Sequence, residues 1–89
     1  MVTVHFAPHL QRHVACAPQQ LVAETLAEAL TLAFAAAPAM RAYVLDEQGH
    51  IRKHVAVFVN GQLHHRRQDL SLVLSPDADI FVFQALSGG

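Results

Sequence analysis

The 89 residues predict an α+β fold, a mixed sheet of four to five strands with one main helix packed across it. Three observations carry that expectation. The chain opens on the alternating segment Val2 to Phe6 and runs toward its end through Asp79-Ile80-Phe81-Val82-Phe83, both strand-like. Between them, Leu21 to Ala36 repeats apolar residues at three- and four-residue steps. Val55-Ala56-Val57-Phe58-Val59 then meets Asn60-Gly61, a strong short-range signal for chain reversal.

Each element follows from its residues. Val2, Val4 and Phe6 share one face of the first strand, with Thr3 and His5 on the other. Pro8 interrupts pairing, which predicts a loop over His9 to Arg12 and a short second strand at His13 to Cys16. The helix is expected from Leu21 to Ala36, with Val22, Leu26, Ala29, Leu30, Ala33 and Phe34 as its apolar stripe. Pro18 is tolerated before or in its first turn, Pro38 closes it, and Glu24 and Glu28 suit the positive end of its dipole. Met40 to Lys53 reads as a connection with a short helical turn, and Asp46-Glu47-Gln48-Gly49 as a tight turn. The middle strand covers His54 to Val59, Leu63 opens a brief return strand, and Leu70 to Leu74 adds an apolar patch. Pro76-Asp77-Ala78-Asp79 turns the chain into the last strand.

Strand, strand, helix, strand, short strand, strand is the order of a β-grasp domain. The first and last strands are expected as parallel neighbours at its centre, each near-continuously apolar as buried strands tend to be. The domain is expected over residues 1–84, followed by a tail at 85–89.

Composition narrows the function. Apolar residues make 53% of the chain and charged residues 15%, the balance of a globular domain. A chain this short buries about 60 to 65% of its unfolded surface, which leaves little room for a deep cleft and favours work done at the surface. A formal charge of −1 argues against a nucleic-acid partner, and Arg66-Arg67 reads as solvated loop. One cysteine, Cys16, excludes internal disulfides and a four-cysteine cluster, and it reads as a small hydrophobe at a strand end. No basic and apolar leader and no apolar run of about 20 residues is present, so a cytoplasmic protein with no membrane partner is expected. Seven histidines invite a metal site, but His5, His9 and His13 fall on a strand and past a proline rather than on one helix face, and no metal is expected. His50, His54, His64 and His65 lack a companion cysteine or carboxylate cluster. Arg52 and Lys53 beside His54 read as solvated surface or as a guide for an acidic partner.

The segments His54-Val55-Ala56-Val57-Phe58-Val59-Asn60-Gly61 and Asp77-Ala78-Asp79-Ile80-Phe81-Val82-Phe83-Gln84-Ala85-Leu86-Ser87-Gly88-Gly89 resemble the MoaD/ThiS-like sulfur carrier proteins. The first matches their third strand and turn; the second matches their acidic turn, last strand and diglycine tail. The resemblance extends over essentially the whole chain. It implies a ubiquitin-like β-grasp domain that is not itself an enzyme and binds no cofactor. Its terminal glycine, Gly89, would be adenylated by an E1-like enzyme using ATP and magnesium, then converted to a thiocarboxylate. A carboxylate is ionised at neutral pH and is a poor electrophile, so activation as an acyl-adenylate is what lets sulfur attack. Gly88, without a Cβ, would let the end enter a narrow site. Molybdopterin-synthase small subunits commonly carry prolines where this chain has Gln84-Ala85-Leu86-Ser87. The longer Met40 to Lys53 connection looks closer to carriers that feed cysteine synthesis or other thiocarboxylate pathways. Molybdopterin, thiamine and cysteine all stay open as destinations.

Strand parity gives the expected partner site. If Ile80 and Val82 face the helix with Val55, Val57 and Val59, then Phe81 and Phe83 lie on the opposite face beside Phe58. Three aromatics on an open face form a docking patch for the activating enzyme and the sulfur-accepting synthase, with Leu86 as the anchor in the tail. Two other readings stand beside the carrier: a ubiquitin-like modifier joined through the same activated Gly89, and a purely structural β-grasp module.

Overall fold

The structure, a computed structural model, describes residues 1–11 and 17–84. In chain order it contains β1 (Val2–Phe6), the helical turn α1 (Pro8–Gln11), β2 (Gln19–Leu21), α2 (Leu26–Ala36), α3 (Pro38–Val44), β3 (Val55–Val59), β4 (Gln62–Leu63) and β5 (Asp79–Gln84). The strands form one sheet in the order β2-β1-β5-β3-β4. β1 and β5 are the parallel central pair, aligned from Thr3 opposite Asp79 to Phe6 opposite Val82, and the other pairs are antiparallel. The expected β-grasp order is therefore present, with five strands.

One face of this sheet makes the core. Val2, Val4, Phe6, Val55, Val57, Ile80 and Val82 are all buried, against Leu26, Leu30, Ala33 and Phe34 of α2 and Met40 and Val44 of α3. Each such side chain contributes on the order of 1.5 to 3 kcal/mol by leaving water. Among the described residues, the outward side chains of the opposite face, Thr3, His5, Phe81 and Phe83, are half-buried or exposed. β5 accordingly alternates exposed and buried residues although its sequence is near-continuously apolar.

Four elements differ from the sequence expectation. α2 begins at Leu26, five residues later than expected, because Thr25 is an N-cap in extended conformation whose Oγ1 accepts from the Glu28 amide at 3.2 Å. Glu28 Oε1 accepts in turn from the Glu24 amide at 2.9 Å, a reciprocal cap. Val22, expected on the helix's apolar stripe, is 74% exposed, and Leu21 closes β2. Pro18 precedes β2 and takes no part in the helix. The amides of Leu26 and Ala27, which have no partner inside the helix, donate to the carbonyls of Leu72 and Leu70 at 2.9 and 2.8 Å. The Leu70 to Leu74 patch is thus a strap across the start of α2, touching it again through the Thr25–Val73 bridge and the Leu74 amide to Glu24 carbonyl bond at 2.8 Å.

The strand beside β1 is Gln19–Leu21, in register Val2 opposite Leu21 and Val4 opposite Gln19. The expected strand at His13 to Cys16 lies outside the described residues. β2 is a three-residue edge strand with no fully buried side chain, so its sequence lacks the apolar alternation that marks a strand. The loop expected from His9 is instead a helical turn begun by Pro8, where a missing N–H costs nothing, and Leu10 of that turn is buried. Past α2, the connection contains a helix of seven residues with Pro38 in its first turn, longer than the single turn expected.

The tight turn after it is as expected. Asp46 Oδ1 accepts from the Gln48 and His50 amides at 2.9 and 3.0 Å, and Gly49 takes φ 81. These amide donors, His50 first, outweigh partial desolvation and hold the Asp46 carboxyl below its ordinary range. Arg67 corrects the reading of Arg66-Arg67 as solvated loop. Arg66 is exposed, whereas the half-buried Arg67 guanidinium donates to the Arg52 and Val55 carbonyls and ties its loop to the start of β3.

Candidate functional site: the open sheet face and the end of β5

Residues paired across neighbouring strands point to the same side of a sheet. His5 pairs with Phe81, Phe81 with Phe58, and Phe58 with Leu63, so one row crosses four strands on the outward face. Phe83 stands one step along β5, opposite Ala56. Phe81 and Phe83 are 39% and 40% exposed, and Leu63 is 40% exposed. Parity from the sequence placed Phe58, Phe81 and Phe83 correctly on one face.

The rings are ordered among themselves. Phe83 meets Phe58 edge-on at 5.6 Å and stacks beside Phe81 at 6.1 Å. His5 lies almost parallel to Phe81, its ring centre 4.2 Å away. Pairs of this geometry hold ring orientation at about 0.5 to 1.5 kcal/mol beyond their buried area. Together with Gly61, the three phenylalanines line an open apolar concavity of about 510 Å³. Such a surface gains by being covered.

The turn after β3 aligns this face. Asn60 and Gly61 take φ 51 and φ 82, the left-handed pair of a tight hairpin. The Asn60 amide donates to the Asp79 carbonyl at 2.8 Å, while Asn60 Oδ1 accepts from the Asp79 amide at 2.9 Å. The first residue of β5 is thereby fixed, and Phe81 and Phe83 follow from it. Asp79 also brings its carboxylate within 3.5 Å of His5 Nε2, a contact that becomes an ion pair when the imidazole is protonated.

Sequence reasoning missed His5, Asp79 and Leu63 as members of this face. The alternation of Val2 to Phe6 already put His5 outward; what it lacked was the parallel register that sets His5 beside Phe81. A second cleft, about 600 Å³, lies between β4 and residues 69–75. Three of its polar side chains are tied to one another's segment: His64 Nε2 lies 2.7 Å from the Asp69 carbonyl, and Asp69 Oδ1 accepts from the Ser71 amide and hydroxyl. Among the described residues no group of three or more histidine, cysteine, aspartate or glutamate side chains is placed to hold a metal. None of their helices is long and apolar enough to cross a membrane.

β5 ends at Gln84, opposite Val55. Leu86, Gly88 and Gly89 lie outside the described residues, as does Cys16.

No family model matches the chain, and no curated protein matches it in sequence. Solved structures do match along its length. CysO of Mycobacterium tuberculosis superposes with a TM-score of 0.80 at 17% identity, over 97% of this chain and 100% of that one. The fold is the ubiquitin-like β-grasp. A chain of the Amycolatopsis orientalis BexX/CysO complex shares this β-grasp at a TM-score of 0.81 and 17% identity, with both chains covered in full. SAMP1 of Haloferax volcanii gives 0.78 at 20% identity, over 99% of this chain and 98% of that one. In all three the β-grasp domain alone accounts for the match, with no large insertion on either side.

Proposed function

We propose that the chain is a sulfur carrier of the MoaD/ThiS-like kind, acting as a cosubstrate and not as an enzyme. An E1-like enzyme joins the Gly89 carboxylate to AMP from ATP and magnesium; sulfur displaces AMP; and the resulting thiocarboxylate is delivered to an acceptor synthase in cofactor or metabolite biosynthesis. The observation that carries this reading is the end-to-end likeness to CysO, coupled to a last strand that leads, five residues on, to Gly88-Gly89. Phe58, Phe81 and Phe83 are the handle by which partners hold the domain, Leu86 is the anchor in the tail, and Gly88 provides clearance. Incubation with an activating enzyme, ATP and a sulfur donor should replace one terminal oxygen of Gly89 by sulfur, read by intact-mass spectrometry. Binding to that enzyme with ATP consumption but no sulfur-bearing product would overturn the carrier role.

The likeness to a small archaeal modifier protein favours a second reading, in which the same activated Gly89 is transferred to protein amines. Denaturing gels of cells expressing a tagged chain separate the two. A modifier yields covalent ladders, and a carrier yields a single band.

A further inference from the structure

We propose that the outer edge of β4, with the strap 70–74 across the cleft from it, is a docking site for an extended peptide of a partner protein, apolar at its centre and acidic beside it. Such binding does not need an activated Gly89. The register settles which backbone groups are open. Val59 pairs with Gln62 and the His64 amide donates to the Val57 carbonyl at 2.8 Å, so Phe58 and Leu63 between them are a pair that exchanges no hydrogen bonds. The Leu63 N–H and C=O therefore point away from β3, to the outside of the sheet. The strap repeats the pattern. The Leu26 amide to Leu72 carbonyl and Leu74 amide to Glu24 carbonyl bonds flank the Thr25–Val73 bridge, so the Val73 N–H and C=O point away from the start of α2. Among the described residues these four groups have no hydrogen-bond partner.

Leu63 and Val73 both line the cleft of about 600 Å³. Its walls are tied at both ends, where Asn60 Nδ2 donates to Ser75 Oγ at 3.4 Å and His64 Nε2 meets the Asp69 carbonyl. Between the ties run four strand steps, about 13 Å, the length of a short extended segment. Leu63, Leu72 and Val73 are 40%, 41% and 76% exposed, and an apolar side chain laid over them removes that surface from water. Because the walls are already held, this chain has little to order on binding.

Charge selects the occupant. Residues 48–68 contain four of the six lysines and arginines and no aspartate or glutamate. Arg52 and Arg67 are used on backbone carbonyls, whereas Lys53, His65 and Arg66 are exposed. The hairpin sense and the Ile51 amide to Arg67 carbonyl bond at 2.9 Å bring Lys53 to the same end of the sheet as Arg66. One carboxylate lines the cleft, that of Asp69; its Oδ1 is taken by Ser71, and its Oδ2 lies 3.8 Å from Arg66 Nη1. A second copy would bring the same cations to the same edge and be repelled, while acidic side chains are drawn to it. An extended backbone supplies the donors and acceptors that Leu63 and Val73 lack, the pairing by which peptides add to sheet edges.

The test uses the full chain labelled with nitrogen-15 and no activating enzyme. It is titrated with a capped peptide of three valines flanked on each side by two glutamates, then with the counterpart that has lysines for the glutamates. The glutamate peptide should bind with a dissociation constant on the order of millimolar or tighter, shift the Leu63 and Val73 amide signals and slow their hydrogen exchange. The lysine peptide should bind about tenfold more weakly or not at all. Val73→Asp and Arg66→Glu, both at exposed positions, should keep the amide pattern of the folded chain and each weaken the glutamate peptide by about threefold or more. Four outcomes overturn the assignment: no shift at Leu63 and Val73, equal binding of the two peptides, shifts centred on Phe81 and Phe83 instead, or peptide-independent shifts that grow with protein concentration as a second copy covers the edge.

Discussion

Arg67 and Asp46 each organise the chain through backbone groups instead of an opposite charge. The Arg67 guanidinium donates to two carbonyls at the entry to β3, and removing it takes one donor from each. Arg67→Ala should cost about 2 kcal/mol in urea unfolding, within the range for charge-assisted hydrogen bonds. Arg66→Ala, on the exposed neighbour, should change stability by less than about 0.5 kcal/mol. In the sequence the two arginines are indistinguishable; only the fold brings the Arg52 and Val55 carbonyls to one of them. Asp46 was legible, since an aspartate three residues before glycine invites the turn it makes. Its depressed folded value stabilises the protein above the unfolded carboxylate value, and that contribution is lost as pH falls through the lower, folded one. A side-chain NMR titration should give a midpoint below that of an aspartate in an unstructured peptide, and Asp46→Asn should remove this part of the acid-induced loss of stability.

At the level of elements, α2 shows how local pattern and tertiary contact divide the work. Apolar steps from Leu26 to Phe34 announce the helix, and a threonine three residues ahead of a glutamate marks its start once the cap is preferred to the wider apolar run. Val22 and Leu21 extend that run by coincidence of composition. The carbonyls that complete the cap come from Leu70 and Leu72, more than forty residues away, and no local window contains them. Thr25→Ala should cost about 1 kcal/mol by equilibrium urea denaturation, with the m-value unchanged. The β3 to β4 hairpin is the opposite case. Its valines and Asn60-Gly61 carry their own instruction, and the strand, turn and return strand appear where the residues place them. β2 could not be read this way because an exposed edge imposes little pattern on its residues.

For the whole molecule, the sheet divides into a core face and an open face. Phe81 contributes to an outward face, while Ile80 and Val82 on the same strand fill the core. Phe81→Ser should therefore shift the urea midpoint modestly, with a loss near 1 kcal/mol from its ring contacts. The same substitution should slow thiocarboxylate formation in the activating-enzyme assay by weakening the docking step. Deletion of Gly89 should leave the unfolding curve unchanged and abolish thiocarboxylate formation.

The parallel pairing of β1 with β5 also constrains when the domain forms. Val2 to Phe6 leave the ribosome before the rest of this domain, yet their central neighbour is Asp79–Gln84, and the bonds that seat β1 run to late residues: the Thr3 amide to Ala78 and the Ala7 amide to Val82. Chains emerge from their N-terminal end. While the domain emerges, the hairpin and the helices can take shape around an empty slot, and the sheet closes only when β5 arrives. Contacts between such distant parts of a sequence form slowly because a long loop must be closed first. Within this domain β1 is thus the first strand made and among the last to be seated.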